Sequence, residues 1–229
     1  MFIHLQCYSE YSLIEGSLKI DSLIDYVYLN NIFSVAITDK NNMFGIIKFY
    51  RLATHYGIKP IVGCDVLVVD DIDCYSDHKI VSRFLLLCQN NFGYKNLMLM
   101  LSMAYLDIDD SSDPIIKKSW LKTFKDGLFI ILLYSDSDIG YYLNNGDYYN
   151  FVSCFKNWID FFKNNYYIGL KRFSLSDFNN YYNNIVFTIS NFYECDFVAI
   201  NEVIFLRDSD YFFHESKVKM YRRSFFGYK

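Results

Sequence analysis

The sequence predicts an α/β fold, a mainly parallel sheet covered by helices. Two observations lead there. Short apolar runs alternate with longer amphipathic ones along the whole chain, and most of the short runs are too continuously apolar for a sheet with one wet face. A third observation concerns organisation: no linker rich in Gly, Pro or Ser interrupts the alternation, so a single domain is expected.

Phe2 to Cys7 reads as the first buried strand and Ser22 to Leu29 as the first helix. Phe33 to Thr38 is again strand-like. Met43 to Tyr56 follows with Ile46, Phe49, Tyr50, Ala53 and Tyr56 at three- and four-residue spacing, which predicts one apolar helical stripe. Pro60 to Val69 and Phe84 to Cys88 are strands by length and β-branched or Leu content. Gly93 to Tyr105 is the helix after them. Strands at Leu128 to Leu133, Tyr167 to Leu170 and Phe197 to Asn201 then alternate with helices at Tyr149 to Asn164, Asp177 to Phe192 and Ser209 to Met220. About seven such units fit a barrel or a doubly wound open sheet, and periodicity does not separate the two.

Composition narrows the function classes. Hydrophobic residues make up 52% and charged residues 21%, so the chain is globular rather than disordered. The 22 Tyr and 22 Phe against 10 Gly and 2 Pro follow AT-rich codon usage, and most of this aromatic excess is expected as core filler rather than base-stacking surface. A net charge of −4 argues against a nucleic-acid clamp, because phosphate binding needs clustered Lys and Arg. The local exception is the end of the chain, where Lys217, Lys219, Arg222, Arg223 and Lys229 offer a possible contact with DNA or another subunit. Acidic stretches at Asp70 to Asp77 and Asp107 to Asp113 read as surface loops. Six cysteines without a CxxC pair suggest no structural zinc and fit a reducing cytoplasm. The longest apolar runs fall far short of the roughly 20 residues of a membrane span.

Four blocks carry a resemblance. They are FIHLQCYSEYSLIEG from Phe2, VAITDKNNMFGIIKFY from Val35, GIKPIVGCDVLV from Gly57 and LCQNNFGYKNL from Leu87. Together they resemble the N-terminal PHP (polymerase and histidinol phosphatase) domain of bacterial DNA polymerase III alpha subunits. The resemblance implies a PHP-type distorted (β/α)7 barrel over residues 1–220, with 221–229 as a basic, aromatic tail leading toward a polymerase region. His214 and Glu215 match a family helix start and extend it to about residue 220. His55 and His78 match no motif.

In that family a cluster of metal ions held by His, Asp and Glu hydrolyses phosphoesters with metal-activated water. Carried over, the histidine positions of the first motif fall at Gln6 and Tyr8, the second-motif histidine at Lys40, and two later ones at Arg83 and Ile204. Each imidazole is thus replaced. His4 survives at a position less suited to a ligand. A lysine ammonium offers a metal no lone pair and adds positive charge where a cation would sit. Asp39, Asp65 and Glu15 remain as vestigial ligands, enough for at most one weakly held Mg²⁺. Alternatively, Lys40 or Arg83 pairs with them and fills the space by salt bridge.

The family's palm domain, where three aspartates bind two Mg²⁺, has no counterpart in the sequence, and no other catalytic motif replaces it. The expected function is therefore the PHP portion of a replicative polymerase: a structural module that docks the rest of the alpha subunit and the proofreading exonuclease subunit. DNA would be met only indirectly, in the cytoplasm. The alternative is a stand-alone metal-dependent PHP phosphoesterase.

Overall fold

The computed structural model describes residues 2–71, 80–107, 113–162, 166–171 and 177–225, with side chains of 177–182 and 221–225 outside the description. Two compact units are present, Met1–Cys64 with Asn201–Lys229, and Asp65–Ile200.

In chain order the first unit contributes β1 (Gln6–Cys7), α1 (Ile20–Leu29), β2 (Ser34–Ile37), α2 (Ile46–His55) and the start of β3 (Lys59–Val69). The second adds β4 (Ser82–Cys88), α3 (Asn91–Leu106), β5 (Ile115–Lys117), α4 (Lys118–Phe124), β6 (Leu128–Leu133), α5 (Asp138–Asn144), α6 (Tyr148–Phe162), β7 (Tyr166–Lys171), α7 (Asp177–Phe192) and β8 (Phe197–Ile200). The chain then returns to the first unit with β9 (Glu202–Val203) and α8 (Tyr211–Phe225).

In the first unit, β2 pairs in parallel with β3, Ser34 opposite Lys59 through Ile37 opposite Val62. β1 pairs in parallel with β9 and is tied to β2 by Thr38 N–H donating to the Cys7 carbonyl (3.0 Å). The expected first strand, Phe2 to Cys7, is thus ladder-paired only at its last two residues. The stripe of α2 is also narrower than its spacing suggested. Ile46, Phe49 and Ala53 are buried, but Tyr50 and Tyr56 are exposed, because their phenols tolerate water and the helix is covered on one side only.

In the second unit the order is β3-β4-β6-β7-β8, with β5 parallel to β3. β6, β7 and β8 are parallel, whereas β4 and β6 are antiparallel, Phe84 opposite Leu132. The sequence predicts mainly parallel pairing and gives no sign of where an antiparallel pair falls. A strand buried on both faces reads as the same apolar run whichever way its neighbour points, so composition could not reveal this reversal. The short elements β5, α4 and α5 carry too few turns for a periodic signal.

The core of this unit is aromatic. Trp158 and Phe162 on α6 stack at 5.6 Å, Phe162 stacks on Tyr166 at 4.8 Å, and Phe84 meets Trp158 edge-on at 4.9 Å. The indole N–H donates to Asp138 (2.8 Å), which also accepts from the Cys154 thiol, while the Lys118 ammonium lies 4.4 Å from the indole centre. Trp158→Phe keeps an aromatic ring but deletes this donor and part of the indole's buried volume. It is expected to cost about 2 kcal/mol in urea denaturation, within the roughly 1.5–3 kcal/mol of a hydrogen bond to a carboxylate.

The acidic stretches lie mostly outside the described residues, as do His78, Cys74 and Lys229. Cys7 and Cys64 are buried free thiols. Among the described residues no helix is long and apolar enough to cross a membrane.

Candidate functional site

The first unit gathers the residues that follow β1 and β2 around one carboxylate. Asp39, just past β2, is 1% exposed. Its Oδ1 accepts from Ser9 N–H (2.6 Å) and Ser12 Oγ–H (2.6 Å), and its Oδ2 accepts from Ser9 Oγ–H (2.6 Å). Burial pushes the Asp39 pKa above its ordinary value, against the lowering by the Ser12 and Ser9 donors. The Lys40 N–H donates to Ser12 Oγ (3.1 Å), and the Cys64 thiol donates to the Asp39 and Asn42 carbonyls (3.1 and 3.4 Å). Asn41 holds φ at +54°, in the left-handed region where the family's TDHGN motif has glycine. Asparagine is among the few other residues that enter this region cheaply. Asn42 then closes the turn, its amide donating to the Tyr11 and Lys40 carbonyls.

Beside this hub lie the positions where the resemblance expects histidines. Gln6 and Tyr8 are fully buried, and the Gln6 amide donates to the Tyr8 hydroxyl (2.6 Å). The Lys40 ammonium pairs with Glu15 and lies 5.0 Å from the centre of the Tyr8 ring. The Ile204 carbonyl accepts from Ser17 N–H (2.9 Å), so that position serves the backbone.

The second unit holds Asp65 and Arg83. The guanidinium Nε–H donates to Asp65 Oδ1 (2.7 Å), and the carboxylate side chain is 1% exposed. A buried charge without such a partner would be costly, so the pair explains how Asp65 is retained.

These residues do not fit a metal cluster. The carboxylates of Asp39, Glu15 and Asp65 are engaged by Ser9 and Ser12, by Lys40 and by Arg83 respectively. Among the described residues no group of three or more His, Cys, Asp and Glu could hold a metal ion. His4 packs edge-on against Phe2, and His214 sits near Phe205; burial lowers the pKa of both. On α8, the Lys217 ammonium donates to the Gly16 carbonyl (2.6 Å), a fold contact within the first unit. Lys219 pairs with Glu215 one turn away (2.8 Å). The side chains of Arg222 and Arg223 lie outside those described. Sequence reasoning missed Ser9 and Ser12. Their signal was the pair of hydroxyls three residues apart just after a strand.

Comparison with known proteins bears on the family and the fold. The model of the PHP domain matches residues 4–173. DNA polymerase III subunit alpha of Vibrio cholerae is 30% identical over 220 residues, covering 96% of this chain and 19% of that protein. The Escherichia coli K12 subunit is 32% identical over 220 residues, covering 96% and 18%. The chain thus spans about a fifth of the length of the curated relatives it matches. Among solved structures, an amidohydrolase from Chromobacterium violaceum superposes with a TM-score of 0.60 at 11% identity, over 95% of this chain and 97% of that one. A protein described as a metal-dependent phosphoesterase of Bifidobacterium adolescentis gives 0.55 at 10% identity, over 89% and 87%. At such identity these likenesses show the fold, the PHP-type α/β class expected from the motifs. With the family model spanning most of the sequence and the relatives aligned along nearly all of it, the chain belongs to the PHP domain family.

Proposed function

We propose that this chain is the PHP portion of a replicative DNA polymerase III alpha subunit, acting in DNA replication as a structural and subunit-docking module without hydrolytic chemistry of its own. The curated relatives support the process. One observation carries the loss of chemistry: Lys40 pairs with Glu15 and Arg83 with Asp65, where a phosphoesterase needs open carboxylates and imidazoles to hold metal. The partners of this reading are the remainder of the alpha subunit and the proofreading exonuclease subunit, with DNA met indirectly through them in the cytoplasm.

The test pairs two assays on the full chain. Hydrolysis of p-nitrophenyl phosphate is expected to stay at background in Mn²⁺, Zn²⁺ or Mg²⁺. Co-expression with an alpha-subunit polymerase body and the exonuclease subunit is expected to give a co-purifying complex. Metal-dependent hydrolysis abolished by Asp39→Asn would instead establish a stand-alone phosphoesterase. Failure to bind either partner would remove the docking role.

A further inference from the structure

We propose that Lys40 is a tethered counter-cation, a side chain that supplies the positive charge a metal supplies elsewhere in this fold family and thereby closes the first unit to divalent ions. The proposal rests on the scaffold reading above and adds to it a defined electrostatic site.

Several independent features fix the ammonium in place. Its backbone is anchored, because Lys40 N–H donates to Ser12 Oγ, itself bound to Asp39. The left-handed Asn41 then turns the chain away. The side chain, 23% exposed, does not reach outward as surface lysines do. It lies instead over the face of the fully buried Tyr8 and meets Glu15. The Tyr8 hydroxyl in turn accepts from Gln6, so the ring that receives the cation is itself positioned. A divalent ion entering here would face a fixed positive charge across a ring that has no lone pair directed at it. In the second unit Arg83 meets Asp65, so a carboxylate is matched by a side-chain cation there as well.

Thermal scans of the purified chain test this, with free Mn²⁺ followed by its paramagnetic resonance signal. The wild type is expected to leave that signal unchanged up to about 1 mM Mn²⁺, the weak end of protein sites for hard cations. Its Tm is expected to be the same in chelator and in metal. Lys40→Met, which keeps the bulk and removes the charge, is expected to lower Tm by about 2–4 °C, and Lys40→Arg to lower it less. Lys40→Asp places two carboxylates together. It is expected to lose more and to recover at least half of the loss in about 10 mM Mg²⁺ by binding linkage. Should that variant fail to fold, the wild-type titration and Lys40→Met still decide. Mn²⁺ uptake by the wild type, or an unchanged Tm in Lys40→Met, overturns the counter-cation. Uptake without hydrolysis would leave the scaffold reading standing, and uptake with hydrolysis would overturn both.

Discussion

Gly93→Ala is expected to destabilise the protein by about 3 kcal/mol, the upper end of ordinary overpacking costs. A β-carbon at Gly93 would lie 1.8 Å from the Gly127 carbonyl oxygen and 2.5 Å from its carbon. These are backbone atoms and cannot swing aside as a side-chain tip would. The same carbonyl accepts from Gln89 N–H (2.9 Å), so moving it disturbs the end of β4 as well. Around the contact, the Asn90 side chain caps α3 by accepting from Phe92 and Gly93 N–H (2.9 and 3.0 Å), and the Asn96 amide donates to the Asp126 carbonyl (3.0 Å). The NNFGYKN block therefore seats the first turn of α3 on the start of β6. Gly146→Ala is the comparison. Gly146 has φ +71° with nothing within 4 Å of a β-carbon, so only the left-handed strain of about 1 kcal/mol applies. Equal midpoints for the two variants in urea denaturation would contradict the close-contact explanation.

Legibility in the sequence followed how local each determinant is. Long helices such as α6 and α7 announce themselves by period and length, and α3 by length. Buried strands such as β6 do so by their Leu and Ile runs. The antiparallel pairing of β4 with β6 is set by the path of the chain between them, which no local window contains. At the site, the residue types at Gln6, Tyr8, Lys40, Arg83 and Ile204 are plain in the sequence, whereas what each side chain meets is not. Lys40 and Arg83 read as cations, which offer a metal no lone pair. Pairing was open, because Arg83 finds Asp65 across 18 positions on a neighbouring strand. Ser9 and Ser12 carry only a weak local signal, two hydroxyls three residues apart after β1, and take their role from a carboxylate that follows β2. Lys217 shows the opposite error of locality. In sequence it belongs to a basic tail, yet in the fold its ammonium reaches the Gly16 carbonyl, 201 positions away.

Asp39→Ala is expected to have the largest effect, about 4 kcal/mol. The substitution strands three donors at once: Ser9 N–H, Ser9 Oγ–H and Ser12 Oγ–H. Ser9 is fully buried and Ser12 is 4% exposed, so water cannot readily replace the lost acceptor. Each buried donor left without a partner costs roughly 1–3 kcal/mol, and relaxation of the loop keeps the sum below the maximum. The loss also spreads, because Ser12 Oγ holds the Lys40 N–H and so the turn that aims the ammonium at Glu15. Ser12→Ala removes one of the three donors and is expected to cost clearly less.

The pH dependence separates this account from a simple cavity. Burial holds the Asp39 pKa above its ordinary 3.8. Between 3.8 and that raised value the native state keeps a proton that the unfolded chain has released. The carboxyl's contribution is therefore fully present below the unfolded value, declines as pH rises through the raised one, and is constant above it. The stability gap between wild type and Asp39→Ala, measured by urea denaturation, is expected to be wider near about pH 4 than near about pH 7. A gap that widens instead as pH rises would mean that the serine donors outweigh burial and hold the carboxylate ionised. Asp39 would then act as a permanent anion, with its hydroxyl cradle doing for it what Lys40 does for Glu15.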